Sequence, residues 1–275
     1  MKLKIRARVV CYGLTAIALV CASTSCASNS TAERSANETA AAPAPPPSST
    51  VVTPAELVAQ AVQLYAQRDD LARVREGLAK LRGARAAEPN NYEAAWQASK
   101  LNYYLGDNTT NEEERDKAFE DGVEAARAAV KLQPEKPDGH FWLGANLGGQ
   151  AKVSVLSGMA DTDEIRQEME TVIKLDEGYL SGSAHMALGQ VYLETPRMMG
   201  GDAKKAVEQM EKGLKFGETN ALLRLRLAEA YLAVDRKADA RKQLDIILNM
   251  TPDQNYLPEH KKAVAEARKL LEKTA

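Results

Sequence analysis

The chain has 275 residues, with 36 Lys+Arg against 38 Asp+Glu and a formal charge of −2. Hydrophobic residues make up 44% but aromatics only 5%, a balance rich in Ala and Leu that favours helices over sheet sandwiches. All three cysteines, Cys11, Cys21 and Cys26, fall before residue 27, which excludes a disulfide framework and a Cys-ligated metal site from the body of the protein.

Lys2, Lys4, Arg6 and Arg8 precede an uncharged stretch from Val9 to Cys21, too short for the roughly 20 apolar residues that cross a bilayer, so residues 1–25 read as a secretory signal. Ser23-Thr24-Ser25-Cys26 then resembles a bacterial lipobox, with Ser23 where such motifs usually carry Leu. Two readings stand: acylation of Cys26 as the mature amino terminus, or ordinary cleavage after Ala27. Residues 26–53 form a linker, and 20 of the 27 residues from Ala27 to Thr53 are Ala, Ser, Thr or Pro. Such a segment has almost nothing to bury and as a flexible coil spans roughly 30 Å. Loss of the leader removes four positive charges and takes the net charge from −2 to −6. That acidic balance argues against nucleic acid as a partner and leaves membrane attachment to the lipid anchor.

From residue 54 to 275 the chain repeats itself. Near the end, Leu227-Ala228-x-x-Tyr231 is followed by Ala240, Leu244, Ile247-Leu248, Met250 and Pro252. This spacing describes two antiparallel helices: Leu227 and Tyr231 lie one turn apart, Ala228 and Ala240 permit close approach, and Leu244, Ile247 and Leu248 form the second apolar stripe. Earlier copies are Leu188-Gly189-x-x-Tyr192 with Ala206 and Met210, Leu143-Gly144-x-x-Leu147 with Ile165 and Met169, Ala98-Ser99-x-x-Asn102 with Gly122 and Ala126, and Ala61-Val62-x-x-Tyr65 with Gly77 and Leu81. The pattern resembles the tetratricopeptide repeat (TPR), which implies an all-α, right-handed solenoid of about five helical hairpins. A last amphipathic helix over Pro258 to Lys273 supplies a polar cap. The step from the first apolar position to the small residue opening the second helix is 13 residues in the last copy but 18, 22, 24 and 16 in the preceding ones. The extra length predicts a long helix from Gly139 to about Ser157 and a polar loop from Asp107 to Arg115.

First helices of stacked hairpins line a concave face. Two residues before each Leu-Gly-like pair stand Trp96, Phe141, Met186 and Leu225, which predicts an apolar column; Tyr103, Gly148, Leu193 and Leu232 extend it. Lys100, Ala145, Gln190 and Glu229 lie between. Such a lining suits a small hydrophobic or amphipathic molecule better than a charged peptide tail; the alternative is that these side chains pack between helices. His140 and His185 share a slot in adjacent copies and are candidate neighbours. Asn102 and Asn146, polar within apolar first helices, pair with each other or the backbone, or bind a ligand. Gly144, Gly148 and Gly149 each cost about 0.8–1 kcal/mol against Ala in a helix, which points to close helix approach or space for a ligand.

Pro137 to Gly149, Asp163-Glu164-Ile165-x-x-Glu168-Met169-Glu170, Ile173-x-Leu175-Asp176 and the Gly201-Asp202 turn, together with the export signal, resemble the T-component family of TPR lipoproteins, which accompany tripartite ATP-independent periplasmic (TRAP) transporters. The resemblance implies a lipoprotein facing the periplasm, on the outer membrane, that pairs with the transporter's solute-binding protein and holds hydrophobic ligand in a channel. The other expectation is a TPR scaffold for envelope proteins with no small-molecule ligand.

Enzymatic motifs are not found. His140, His185 and His260 lack paired-ligand spacing, Ser157 and Ser181 lack a nucleophile elbow, and Gly144 to Gly149 follows no strand. Asp202 reads as a helix cap, not part of a phosphate loop. No cofactor and no catalytic residue is expected.

Overall fold

The computed structural model describes residues 52–153 and 162–274. The leader, Cys26, the linker up to residue 51 and the end of the long helix predicted to reach Ser157 lie outside them. The described residues form eleven α-helices and no strand. They pair as hairpins: α1 (Pro54–Tyr65) with α2 (Leu71–Ala87), α3 (Tyr92–Asn108) with α4 (Glu112–Leu132), α5 (Pro137–Val153) with α6 (Thr162–Leu175), α7 (Tyr179–Glu194) with α8 (Ala203–Leu214), and α9 (Ala221–Ala233) with α10 (Lys237–Asn249). The last helix, α11 (Leu257–Leu271), packs on α9 and α10. No described helix is long and apolar enough to cross a membrane.

Helix starts are set by short polar side chains that accept the otherwise orphaned first amides. Thr53 and Glu56 form a reciprocal capping box on α1. Asp70, Asn91, Asn111 and Asn220 cap α2, α3, α4 and α9, and Asp202 caps α8 as its position predicts. Within hairpins the small residues sit where helices touch: Ala61, Ala126, Ala206, Ala228 and Ala240 are all fully buried, with Leu81, Met169, Met210, Leu244 and Ile247 filling the seams.

One predicted loop is helical. The segment Asp107 to Arg115 shrinks to Thr109–Asn111, because α3 continues to Asn108 and α4 begins at Glu112, capped by Asn111. The extra residues of the second hairpin therefore lengthen its helices, to 17 and 21 residues, and α4 carries the excess as an acidic first turn. The charges that suggested a loop instead suit a helix N-terminus, where Glu112, Glu113 and Glu114 meet the positive end of the dipole. The fourth hairpin departs differently: Leu180, Ser181 and Gly182 run left-handed at the head of α7, wedged against the α8–α9 turn.

The two ends of the solenoid meet. Arg68, in the α1–α2 turn, donates from Nε and Nη2 to the two carboxylate oxygens of Glu259 on α11 at 2.8 and 2.6 Å, and from Nη2 to the Asn255 carbonyl at 2.5 Å. Lys262 of α11 pairs with Asp107 at the end of α3 at 2.7 Å. The expected polar cap thus also clasps the first two hairpins.

Candidate functional site

A repeated polar bridge accounts for several residues that the sequence singled out. His140, on α5, approaches Glu168 Oε2 on α6 at 2.5 Å through Nδ1 and the Pro134 carbonyl at 2.8 Å through Nε2. His185, on α7, approaches Gln209 on α8 at 2.9 Å and Glu177 at 3.3 Å. Arg224, on α9, donates to Gln243 on α10 at 2.6 Å and to the Glu218 carbonyl at 2.7 Å. The three occupy one slot, immediately before Phe141, Met186 and Leu225, and their partners immediately precede Met169, Met210 and Leu244. Each ties the preceding turn to both helices of its own hairpin. His140 and His185 are therefore not neighbours; each is spent inside its repeat. In the second hairpin the same slots hold Ala95 and Ala125, both buried and with nothing to bridge.

Asn146 is fully buried, with its amide nitrogen engaged by the protein and its Oδ1 without a hydrogen-bond partner among the described residues. Its amide nitrogen lies 2.8 Å from the Trp142 carbonyl, 3.2 Å from the Ser99 carbonyl and 3.0 Å from Ser99 Oγ, while Ser99 donates to the Gly122 carbonyl at 2.8 Å. This network joins the second and third hairpins. It needs Gly122, whose Cα faces Asn146 so closely that an added Cβ would lie 2.0 Å from Oδ1. Asn102 does not pair with Asn146; it lines a depression of about 220 Å³ with Leu78, Arg82, Arg85, Ala98, Asp121 and Glu124. A second, of about 210 Å³, lies among α1 and α2 residues. Both are lined mainly by polar and charged side chains, away from the concave column.

The glycines of α5 divide by role. Gly144 and Gly149 permit close approach of Met169 and Phe119, whereas a Cβ at Gly148 would meet nothing within 4 Å. The concave column divides too. Phe141 and Leu225 are buried among neighbouring helices, Phe141 against Trp142 and Tyr179 with ring centroids at 5.0 and 5.4 Å. Trp96, Tyr103, Met186 and Leu193 are only partly buried, as are Lys100, Ala145, Gln190 and Glu229 between them. Tyr103 leans on Trp142 and Phe119 at 5.7 and 6.3 Å, and burial pushes its phenol pKa up. Glu229 pairs with Arg226 at 2.9 Å, and Arg226 also meets Glu266 of α11 at 3.6 Å. The lining is thus more charged than the apolar column implied. Arg226, one residue past Leu225, was readable only by counting one more position around the helix.

At the clasped end two cations converge on one ring. The Arg68 guanidinium lies over Tyr65 and Tyr104, at 4.8 and 5.7 Å from the ring centres. The Lys100 ammonium lies over the same Tyr65 at 4.2 Å and over Trp96 at 5.8 Å. Burial, then the Arg68 charge, lower the Lys100 pKa to about 8. Nearby, Asp138 accepts from Tyr92 at 3.0 Å and from Tyr179 at 2.8 Å, fastening three hairpins together. Among the described residues no group of three or more His, Cys, Asp or Glu is placed to hold a metal.

Comparison with known proteins agrees on architecture. The family model for regulator of microtubule dynamics protein 1-3 matches residues 57–190, just under half of the chain. No curated protein sequence matches. Among solved structures, the TPR protein TTC0263 of Thermus thermophilus is 20% identical with a TM-score of 0.58, covering 78% of this chain and all of that one. PilF of Pseudomonas aeruginosa is 17% identical with a TM-score of 0.52, covering 80% of this chain and 92% of that one. At these identities the likeness is one of fold: the chain is an all-α, TPR-type solenoid.

Proposed function

We propose that this is an envelope-tethered binding protein, not an enzyme, whose concave face receives a protein partner. The observation that carries the reading is the row of partly buried side chains, Trp96, Lys100, Tyr103, Ala145, Met186, Gln190, Leu193 and Glu229, whose apolar members rest against the core on one side and keep surface exposed on the other. Surfaces that mix aromatic anchors with a few charges are where stacked helical repeats recognise other chains. TPR architecture supports a protein partner in general. The finer reading takes that partner to be the solute-binding protein of a TRAP-type uptake system, with a hydrophobic or amphipathic solute passing along the concave face and Cys26 holding the protein to the periplasmic side of the outer membrane; it draws on the T-component resemblance and the leader. The microtubule connection in the matched family's name is not carried over, because a secretory leader routes the body away from the cytosol.

A second reading, a scaffold for other envelope proteins with no small-molecule ligand, is favoured by the position of the two depressions, which are polar and lie off the concave row. A photo-crosslinking amino acid at Gln190, in cells, separates the two. The TRAP reading expects an adduct with a TRAP-type solute-binding protein. An adduct with another envelope protein moves the assignment to the scaffold, and no adduct from Gln190 or Ala145 contradicts both.

A further inference from the structure

We infer that Lys100 is the anchoring cation of a carboxylate-binding site at the clasped end of the concave face, between α1, α3 and α11; the inference rests on the concave face being the recognition surface. Three observations carry it. First, the Lys100 ammonium touches two aromatic faces, Tyr65 and Trp96, and among the described residues it has no hydrogen-bond acceptor and no carboxylate at ion-pair distance. A cation in such a place is costly unless it is paired, because ring faces replace only part of the lost water.

Second, the carboxylates near it are already engaged. Glu259 gives both oxygens to Arg68, and Asp138 accepts from Tyr92 and Tyr179. Arg68 itself is committed, holding Glu259, the Asn255 carbonyl and the Tyr65 carbonyl. The neighbourhood therefore has two cations and two carboxylates, both carboxylates are hydrogen-bonded to other groups, and Lys100 is the cation left without an ionic hydrogen bond of its own. Third, the ammonium is only partly buried, so an incoming group can reach it, whereas Arg68 is sealed at 4% exposure. The neighbouring Trp96 and Tyr103 supply apolar walls for whatever carries the acid. A carboxylate fits these conditions: it neutralises the charge with a short ionic hydrogen bond while its stem lies on the aromatic rings. The depressed Lys100 pKa agrees with a cation that lacks such a partner.

The acid arrives either on a small amphipathic molecule or on a side chain of a protein partner, and one experiment covers both. Calorimetric titration of the full chain at pH 7 uses octanoate against octanol and pentaglutamate against pentaglutamine. We expect at least one acidic probe to bind tenfold or more tightly than its neutral analogue, with the preference lost in Lys100→Met and kept in Lys100→Arg; the probe that binds identifies the source. Absence of any acid preference, or a preference unchanged in Lys100→Met, overturns the site. Should Lys100→Met not fold by circular dichroism, wild-type protein answers instead. The favoured acid must then shield Lys100, but not exposed Lys242, from acylation by an acetyl ester as read by peptide mass spectrometry, and equal labelling with and without the acid overturns the site. Failure here leaves an adduct at Gln190 standing, and failure of that adduct leaves an acid preference standing, so the two readings fall separately.

Discussion

The bridge slot of hairpins three to five and the Lys100 position at the clasped end treat their polar groups in opposite ways. In the hairpins, His140, His185 and Arg224 each reach a partner on the second helix and another in the preceding turn. At the clasped end, Arg68 is equally well served, yet Lys100, over the same tyrosine, has only ring faces among the described residues. Satisfied buried groups fix the register of helices and resist removal, since deleting one partner leaves the other desolvated. An unsatisfied one costs stability and is explained more readily by what it recognises than by what it holds.

The contrast breaks most visibly at Arg68. Replacement by Ala leaves the partly exposed Glu259 without its partner and should cost about 3 kcal/mol, the lower end of what removal of one member of a buried ion pair costs. Urea denaturation reads this loss, and Lys at the same position should recover little of it because it lacks the forked geometry that spans both carboxylate oxygens and the Asn255 carbonyl. Next comes Gly122→Ala, which forces Asn146 out of its network with Ser99 and Trp142 and should cost about 1–3 kcal/mol. Glu168→Ala, which leaves His140 with only the Pro134 carbonyl, should cost about 1–3 kcal/mol, and Gln243→Ala should behave alike if the bridge is one repeated device. A Gln243→Ala protein as stable as wild type would break that equivalence.

The smallest effect is the one with the unusual sign. Lys100 has its pKa lowered in the folded state, so between about 8 and the ordinary value of 10.5 the unfolded chain binds the extra proton. Stability attributable to this residue therefore rises with pH through that window, as the cost of the buried charge is relieved. Arg68, Glu259, Asp138 and Tyr65 face the same space, and burial holds the Tyr65 phenol above its ordinary range. The Lys100→Met protein should lack this dependence. Glu114 supplies a control of opposite sense: Arg75 and Thr109 lower its pKa to about 2, so its contribution is present above the ordinary value of 4.5 and is lost as pH falls towards 2.

Much of the architecture was legible because it repeats. Leu227-Ala228-x-x-Tyr231 and its four relatives place hairpins by small residues at helix contacts, and the contacts form where those residues stand. The Asp107 to Arg115 segment misled because acidic clusters serve equally as loop and as helix start, and the signal that decides between them is the single cap residue Asn111. Polar bridges such as His140–Glu168 were present in the sequence as one more periodic column, hidden by having two residue types on each side, His or Arg facing Glu or Gln. The clasp was beyond reach, since nothing in the local pattern of Arg68 shows that Glu259, 191 residues away, returns to it. Lys100 was legible as a concave position, but its lack of an acceptor was not, because that depends on how the ends of the solenoid meet.

The claim that Lys100 stands apart from the structural polar groups is tested most directly by the unfolding free energy of Lys100→Met relative to wild type at pH 7 and at pH 10.5. The account predicts a variant at least as stable as wild type at pH 7, with its relative advantage shrinking by pH 10.5 as the wild-type ammonium is discharged. A variant that is clearly less stable at pH 7 would show that Lys100 holds the fold together and would contradict it.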